Sequence, residues 1–431
     1  MLKRETLPYA EWTYRIPEGE IRRLLKYQVK YYFGGGLPGA LPIRQLAGII
    51  EEIGRELLSD IGAGNKASSL QLFNYNKTPG LDSLRKLFLK RLVERQHLPF
   101  DPETDYHRVL VTNGAQQALY GLLDSIINPG DYILSAAPSY LGFVTPAVKL
   151  GGNVVCCPSD ENGLTVEGVE KAIAAVKREA GTVPKILYIV SDSDNPSGTT
   201  LPQDRRKAFF EIAQRENILI VEDGAYKEIQ FGKKRLNPIK AYDTENRVVV
   251  YLASTSKEAG VLRIGYGVYP AEIGDMVEKA KGYYDLCSPV LNQVIAERYY
   301  SLDLDQILGE VLGIYRERCG AMLEALGSFF PKGIMTRPTG GFFVWWETLP
   351  GVNFDSKTFN EKVAIPNNLL FVPSHAFFPP EGLVVDARGK LVSAKPHTNG
   401  MRLSFSAVPK ERIFEGIEIM GNLLKKHLKQ L

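Results

Sequence analysis

Apolar runs of strand length alternate with segments of helical periodicity along most of the chain, and this rhythm limits the fold more than any other feature. Val109-Leu110-Val111-Thr112 reads as a strand and Ala115 to Ile127 as a helix. Pro129-Gly130-Asp131 is a turn, and Tyr132-Ile133-Leu134 a short strand. Ile186-Leu187-Tyr188-Ile189-Val190 and Ile218-Leu219-Ile220-Val221 are nearly unbroken apolar runs, as expected of strands buried on both faces. Gln203 to Glu216 reads as a helix between them. Leu84, Leu87, Phe88 and Leu92 recur at three- and four-residue steps, which predicts an amphipathic helix from Leu81 to His97. Strands joined through helices make a largely parallel sheet covered on both sides, an α/β fold.

After about Asp285 the rhythm changes. One long helical stretch runs from Leu291 to Leu326. Strand-like Gly341-Phe342-Phe343-Val344-Trp345-Trp346, Leu369-Leu370-Phe371-Val372 and Met401-Arg402-Leu403-Ser404-Phe405 follow, then an amphipathic helix from Lys410 to Leu428. This predicts a smaller α+β domain, and 431 residues exceed what one core usually serves. The expected division is a large domain over 51–290 and a small one over 291–431. Residues 1–50 are too short for a domain and are expected to pack on the small one. The Gly- and Pro-punctuated, charged segment from Pro379 to His397 reads as a surface insertion. Trp345 and Trp346 are expected to straddle their strand, one in the core and one near the surface.

With 44% hydrophobic and 23% charged residues, the composition is that of a soluble globular protein. Net charge is +3 with Lys and Arg scattered, which argues against a nucleic-acid surface. Lys425, Lys426 and Lys429 cluster where a helix ends, and cations complement its dipole there. Cys156, Cys157, Cys287 and Cys319 do not form a secreted disulfide framework, and no Cys/His spacing reads as a metal site. Cys156 and Cys157 read as strand residues, and His375 and His397 as isolated rather than ligating. Met1-Leu2-Lys3-Arg4-Glu5 has no apolar core of signal-peptide length, and no run is long enough to span a bilayer. A cytoplasmic protein is the expectation, with no membrane and no nucleic-acid partner.

Ligands in open α/β sheets bind beyond the carboxyl ends of the strands, so the strand–helix junctions carry the chemistry. Four junctions are suggestive. Thr112-Asn113-Gly114-Ala115-Gln116-Gln117 offers close backbone approach and a helix N-terminus, both suited to a phosphate. Ser193-Asp194-Asn195-Pro196-Ser197-Gly198 reads as a turn, or as a mount that points the Asn195 amide at a ring oxygen. Glu222-Asp223-Gly224-Ala225-Tyr226 puts a carboxylate at the end of a buried strand, where it needs a partner such as a protonated pyridine, or serves as a helix cap. Ser254-Thr255-Ser256-Lys257, with Arg263 close behind, ends an apolar run in small hydroxyls and two cations. A lysine can condense with an aldehyde. Hydroxyls, backbone N–H groups and a guanidinium can hold a phosphate. Pyridoxal 5'-phosphate (PLP) carries both ends.

In this order the motifs make the chain resemble the class I aminotransferases of PLP fold type I, and within them the α-aminoadipate/kynurenine aminotransferase group. The resemblance runs from about Phe33 to about Leu424. It implies a large domain with a mostly parallel sheet of the seven-stranded type, and a smaller α+β domain. It implies amino-acid and 2-oxo-acid substrates, glutamate/2-oxoglutarate as one couple, and an aromatic, branched-chain or 2-aminoadipate partner couple.

Carried over residue by residue, Gly114, Ala115 and Gln116 match the phosphate turn, and Ser254, Ser256 and Arg263 further phosphate ligands. Lys257 matches the Schiff-base lysine and general base. Asp223 matches the pyridinium partner, and Asn195 and Tyr226 the donors to the phenolic oxygen. Tyr140 resembles the aromatic that stacks on the ring, and Arg402 the clamp on the substrate α-carboxylate. Gly36, in Gly35-Gly36-Leu37-Pro38, resembles the segment that closes over substrate. Tyr75 resembles the tyrosine that reaches the neighbouring site of a homodimer. Tyr31, Tyr32 and Leu37 can form an apolar wall, and Arg22 a second anion site.

Ala115 stands where the family usually has serine, and the Lys257–Arg263 spacing is one residue short, which bears on the reach of Arg263. A lyase or cyclising enzyme on the same fold is the alternative. A non-catalytic PLP-binding sensor would need a DNA-binding domain, and the residues before Gly35 are too few for one. A structural protein with a decayed site does not fit the full residue set.

Overall fold

The computed structural model describes residues 9–16, 18–65, 70–232, 235–260 and 262–429. The reading of Met1 to Glu5 lies outside these residues. A nine-stranded sheet runs through the large unit. Its strands lie in the order Leu391–Ser393, Leu383–Val385, Asn153–Cys157, Tyr132–Ala136, Ile186–Ile189, Leu219–Asp223, Val249–Ser254, Gly265–Val268 and Val109–Thr112. Neighbours are parallel except where Gly265–Val268 and Leu391–Ser393 run against theirs. Alternate residues of the central strands feed two cores. Ile186 and Tyr188 pack with the helices Ala115–Ile126 and Leu141–Lys149, and Leu187 and Ile189 with Val166–Ala180 and Gln203–Glu216. Burial on both faces explains the unbroken apolar runs.

The smaller unit has a four-stranded sheet in the order Gly333–Met335, Phe343–Thr348, Gly400–Ser404, Val372–Pro373. The helices Leu304–Phe329 and Lys410–Leu428 pack with it around one core. Tyr31–Tyr32 pairs in parallel with Leu369–Leu370, so the N-terminal segment is tied to this unit by backbone hydrogen bonds.

Three expectations change. The stretch Leu291–Leu326 is two helices, Val290–Tyr300 and Leu304–Phe329. The break comes where the Asp303 carboxylate accepts the N–H groups of Asp305 and Gln306 and caps the second helix. Trp345 and Trp346 are both buried, because their strand is covered on both faces. Trp346 packs edge-on to Phe330 and Phe354, and Trp345 edge-on to Phe377. The segment Pro379–His397 is no loose loop. It carries a hairpin, Leu383–Val385 with Leu391–Ser393, that extends the large sheet at Val155 and accounts for two of the nine strands. Asp386 closes its turn by accepting the N–H groups of Arg388 and Lys390. Among the described residues no helix is long and apolar enough to cross a membrane, and no cluster of metal-ligating side chains occurs. His397 stacks on Phe378 with ring centroids 4.4 Å apart, and His375 lies 3.8 Å from Glu20.

Asp303→Ala removes the only side-chain cap at the start of the helix Leu304–Phe329. Unfolding free energy is expected to fall by about 0.5–2 kcal/mol, read as a lower urea midpoint.

Candidate active site

The register of the sheet gathers the junction residues at one edge. Gly265 pairs with both Ser254 and Thr112, and Asp223 pairs with Leu252. Thr112, Asp223 and Ser254 therefore end their strands side by side. One cavity at that edge is lined by Ala115, Gln116, Tyr140, Asn195, Asp223, Tyr226, Ser254, Ser256, Lys257 and Arg263. The sequence places these residues over 149 positions (115 to 263), and the fold brings them to one cavity.

The phosphate turn is built by close packing. Gly114 has φ +76° and precedes the first turn of the helix Ala115–Ile126. A Cβ on Gly114 would lie 2.8 Å from the Arg263 guanidinium. A Cβ on Gly265 would meet the Ala115 nitrogen and the Gly114 carbonyl carbon, both at 2.4 Å. Arg263 thus reaches the turn despite the short spacing. It does so with φ +52°, a strained value for a residue with a side chain, and donates from Nη2 to the Asn113 carbonyl at 3.1 Å. The Ser254 hydroxyl accepts the Ser256 N–H at 3.1 Å, while the buried Ser256 hydroxyl has no partner. Gln116 donates to the Gly142 carbonyl at 2.6 Å and accepts the Tyr140 hydroxyl at 2.9 Å, which fixes the Tyr140 ring in the cavity wall.

The ring end is apolar and acidic. Asp223 is buried, and burial is the main cause that raises its pKa. The Tyr188 hydroxyl donates to its Oδ2 at 2.9 Å and the Ala225 N–H to its Oδ1 at 3.0 Å, and both oppose that rise. Tyr226 is buried edge-on to Phe342, at 5.5 Å between centroids, and burial pushes its phenol pKa upward.

Besides Arg263, two cations share the cavity region without a carboxylate in hydrogen-bond contact. Lys257 Nζ donates to the Gly36 carbonyl at 3.0 Å and lies 5.4 Å from the Tyr226 ring centre. Burial lowers its pKa to about 8, helped by the positive Arg402 and Arg263 and opposed by Asp223. Arg402 is 1% exposed. Its guanidinium donates to Asn195 Oδ1 at 2.8 Å and to the Gly34 carbonyl at 2.6 Å, and lies 4.1 Å above the Phe343 ring. Its Nε has no partner, and burial lowers its pKa to about 10. A buried charge without a counter-ion is costly, so the site is built to receive a carboxylate.

Other expected residues are spread from the site to the surface. Gly36 is at the site, where its carbonyl accepts from Lys257, and a Cβ on it would stand 2.7 Å from Phe343. Tyr75 is 77% exposed on the surface. Of the supposed apolar wall, Tyr31 is buried in the core of the smaller unit, where a Cβ on Gly416 would meet it, and Leu37 is exposed. Tyr32 is half-buried against Leu24, Trp345, Leu370, Val372 and Phe377, within the field of Arg402. Arg22 is exposed on the short helix Glu20–Leu24. Reading the sequence by motif missed Tyr188, Phe343 and Phe377. Tyr188 did leave a signal, since a hydroxyl in a strand buried on both faces must find a partner.

The donor set fits PLP: an unpartnered hydroxyl and a guanidinium beside a helix N-terminus, a carboxylate at the far end, and a lysine of lowered pKa between them. Residues 51–350 match the family model for aminotransferase class I and II. The chain is 34% identical to "Aromatic-amino-acid aminotransferase 1" of Thermococcus litoralis over 98% of this chain and 95% of that protein. It superposes with a TM-score of 0.85 on a Pyrococcus horikoshii kynurenine aminotransferase solved in complex with PMP, at 31% identity and 98% coverage of each chain. It superposes with a TM-score of 0.82 on LysN, the α-aminoadipate aminotransferase of Thermus thermophilus complexed with N-(5'-phosphopyridoxyl)-L-leucine, at 29% identity and 100% coverage of each.

Two outcomes follow from the geometry. The Lys257 amine, whose pKa is about 8, is the expected point of PLP attachment, and only its free form reacts with an aldehyde. The uptake rate is expected to fall roughly tenfold per pH unit below that value and to level off above it, measured by stopped-flow absorbance. Gly265→Ala forces a methyl into the phosphate turn and is expected to weaken PLP binding about 10- to 100-fold, measured by titration of apo-protein, with far-ultraviolet circular dichroism unchanged.

Proposed function

Since the chain belongs to the class I and II aminotransferases and is a PLP-dependent transaminase, we propose that it passes the amino group between glutamate/2-oxoglutarate and an aromatic, branched-chain or 2-aminoadipate couple. The observation that carries the reading is Arg402, buried beside the cavity with an unpartnered Nε and no carboxylate of its own. Relatives named for aromatic amino acids, kynurenine and α-aminoadipate support the range of the second couple.

Each residue takes one role. Lys257 bonds the cofactor through its amine. With its amine free, it would take the proton from the substrate Cα as general base and give it up as general acid at the cofactor's former aldehyde carbon. Arg402 clamps the substrate α-carboxylate in its planar fork. When bound, PLP supplies an aldehyde carbon and a pyridinium ring that draws electron density from the substrate Cα. Asp223 holds the ring nitrogen protonated. Asn195 and Tyr226 donate to the phenolic oxygen. Tyr140 covers the ring face. Gly114, Ala115, Gln116, Ser254, Ser256 and Arg263 hold the phosphate, with the Ala115 methyl leaving one hydroxyl fewer. Gly36 closes over the substrate. Residues 51–290 act as the cofactor-binding domain, and 1–50 with 291–431 as the closing part.

The working form is a homodimer in which Tyr75 reaches the neighbouring phosphate. Its support is the exposure of Tyr75 together with Phe73, Leu58 and Tyr283, the last at 86%. The compartment is the cytoplasm.

Holoenzyme is mixed with single amino acids and its absorbance followed while products are collected. One 2-oxo acid per site with no free ammonia supports transamination. Ammonia release instead establishes the lyase reading. Lys257→Ala is expected to lose at least the general-base factor of about 10²–10⁴ in turnover. Normal turnover by that variant removes the assignment.

A further inference from the structure

We propose that Tyr188 is a positioning residue for the cofactor ring, acting through Asp223. The inference rests on the reading of Asp223 as the ring-nitrogen partner. Tyr188 stands opposite Val221 on the neighbouring parallel strand, and Asp223 lies two residues further along the same face. From there the Tyr188 hydroxyl reaches Asp223 Oδ2 at 2.9 Å, while the Ala225 N–H takes Oδ1 at 3.0 Å. One donor on each oxygen fixes the plane of the carboxylate. It also stabilises the ionised form inside an apolar wall, where burial favours the neutral acid. An ionised, oriented carboxylate can bond a pyridinium N–H, whereas a neutral one cannot accept the full charge.

The phenol itself has little freedom. Tyr188 is 1% exposed, and its ring stacks on Phe143 with centroids 3.9 Å apart and planes 7° from parallel. Phe143 belongs to the helix Leu141–Lys149, whose N-terminal flank is Tyr140. The same stack therefore supports the element carrying the residue assigned to the ring face. Tyr188 lines the cavity wall, and its effect on the ring nitrogen passes through Asp223.

The test compares two probes in one protein: PLP, and the 1-deaza analogue in which carbon replaces the ring nitrogen. Apo wild type and apo Tyr188→Phe are titrated with each by fluorescence. The substitution removes one oxygen and keeps the ring on Phe143. Wild type is expected to favour PLP over the analogue. Tyr188→Phe is expected to lose PLP affinity about 10- to 100-fold, as for a hydrogen bond to a charged group, and analogue affinity by no more than about twofold. Equal losses for both probes would mean a general structural role and overturn the proposal, as would no loss for either. The ratio of the two affinities within one preparation cancels any loss of folded protein. If wild type fails to discriminate between the probes, the assignment of Asp223 fails. If wild type discriminates and Tyr188→Phe discriminates equally well, only the inference about Tyr188 fails.

Discussion

Besides Arg263, two cations at the site are held by backbone carbonyls instead of carboxylates, and the rest of the site is arranged around them. Lys257 is bonded to the Gly36 carbonyl and Arg402 to the Gly34 carbonyl. Those two carbonyls belong to one short segment that Tyr31–Tyr32 anchors to the smaller unit. The positive charges of the cofactor side and of the substrate side are thereby tied to the same piece of chain. A neutral carbonyl is a weaker partner than a carboxylate. A substrate carboxylate can displace one, and an aldehyde can consume the amine at the other. The Arg402 Nε is left without a partner.

Elsewhere several buried charges meet an opposite charge. Arg206 meets Asp192 at 2.6 Å, and Lys240 meets Asp243 at 2.9 Å. The pair Lys227–Glu258, at 3.1 Å, is more than packing. Lys227 follows Tyr226, and Glu258 follows Lys257. The first of each couple faces the cavity, and the second turns away from it and meets its partner behind. The Tyr300 hydroxyl adds a second contact to Glu258 at 2.9 Å. Removing one member of such a pair leaves a buried charge uncompensated, which makes the spacing of Tyr226 and Lys257 stiff. This ionic clamp thus stands behind the site, with the unpaired cations in front of it.

The large unit was legible because its strands are buried twice over. Val109–Thr112 and Gln203–Glu216 stand where periodicity put them, and the motif residues follow once strand ends are known. Three features were hidden for identifiable reasons. The helix break at Ser301-Leu302-Asp303 carries neither Gly nor Pro, and only the cap residue betrays it. The edge hairpin reads as loop because Pro379, Pro380 and Gly382 precede it, although Leu383-Val384-Val385 and Leu391-Val392 flank a turn closed by Gly389 at φ +79°. Adjacent Tyr31 and Tyr32 point to opposite sides of a two-residue strand, and a single sequence does not say which side is the core. The contacts of Arg402 with Gly34 and Asn195 span 368 and 207 positions, a distance no motif encodes.

The departures at Ala115 and at the Lys257–Arg263 spacing have a common physical sense. A serine at 115 would add a hydroxyl to the phosphate turn, and a longer loop would let the guanidinium arrive relaxed. Here Arg263 arrives in the left-handed region, a cost of order 1–3 kcal/mol for a residue with a side chain. In return its guanidinium comes so close to Gly114 that no Cβ fits between them. A charged donor pressed against the turn stands in for a missing neutral one, since a guanidinium brings a positive charge as well as N–H donors to an anion. The strain at Arg263, the glycines at 114 and 265 and the alanine at 115 are then one solution to one problem. On the proposed roles, the dianionic end of the cofactor would meet fewer and more rigidly placed donors.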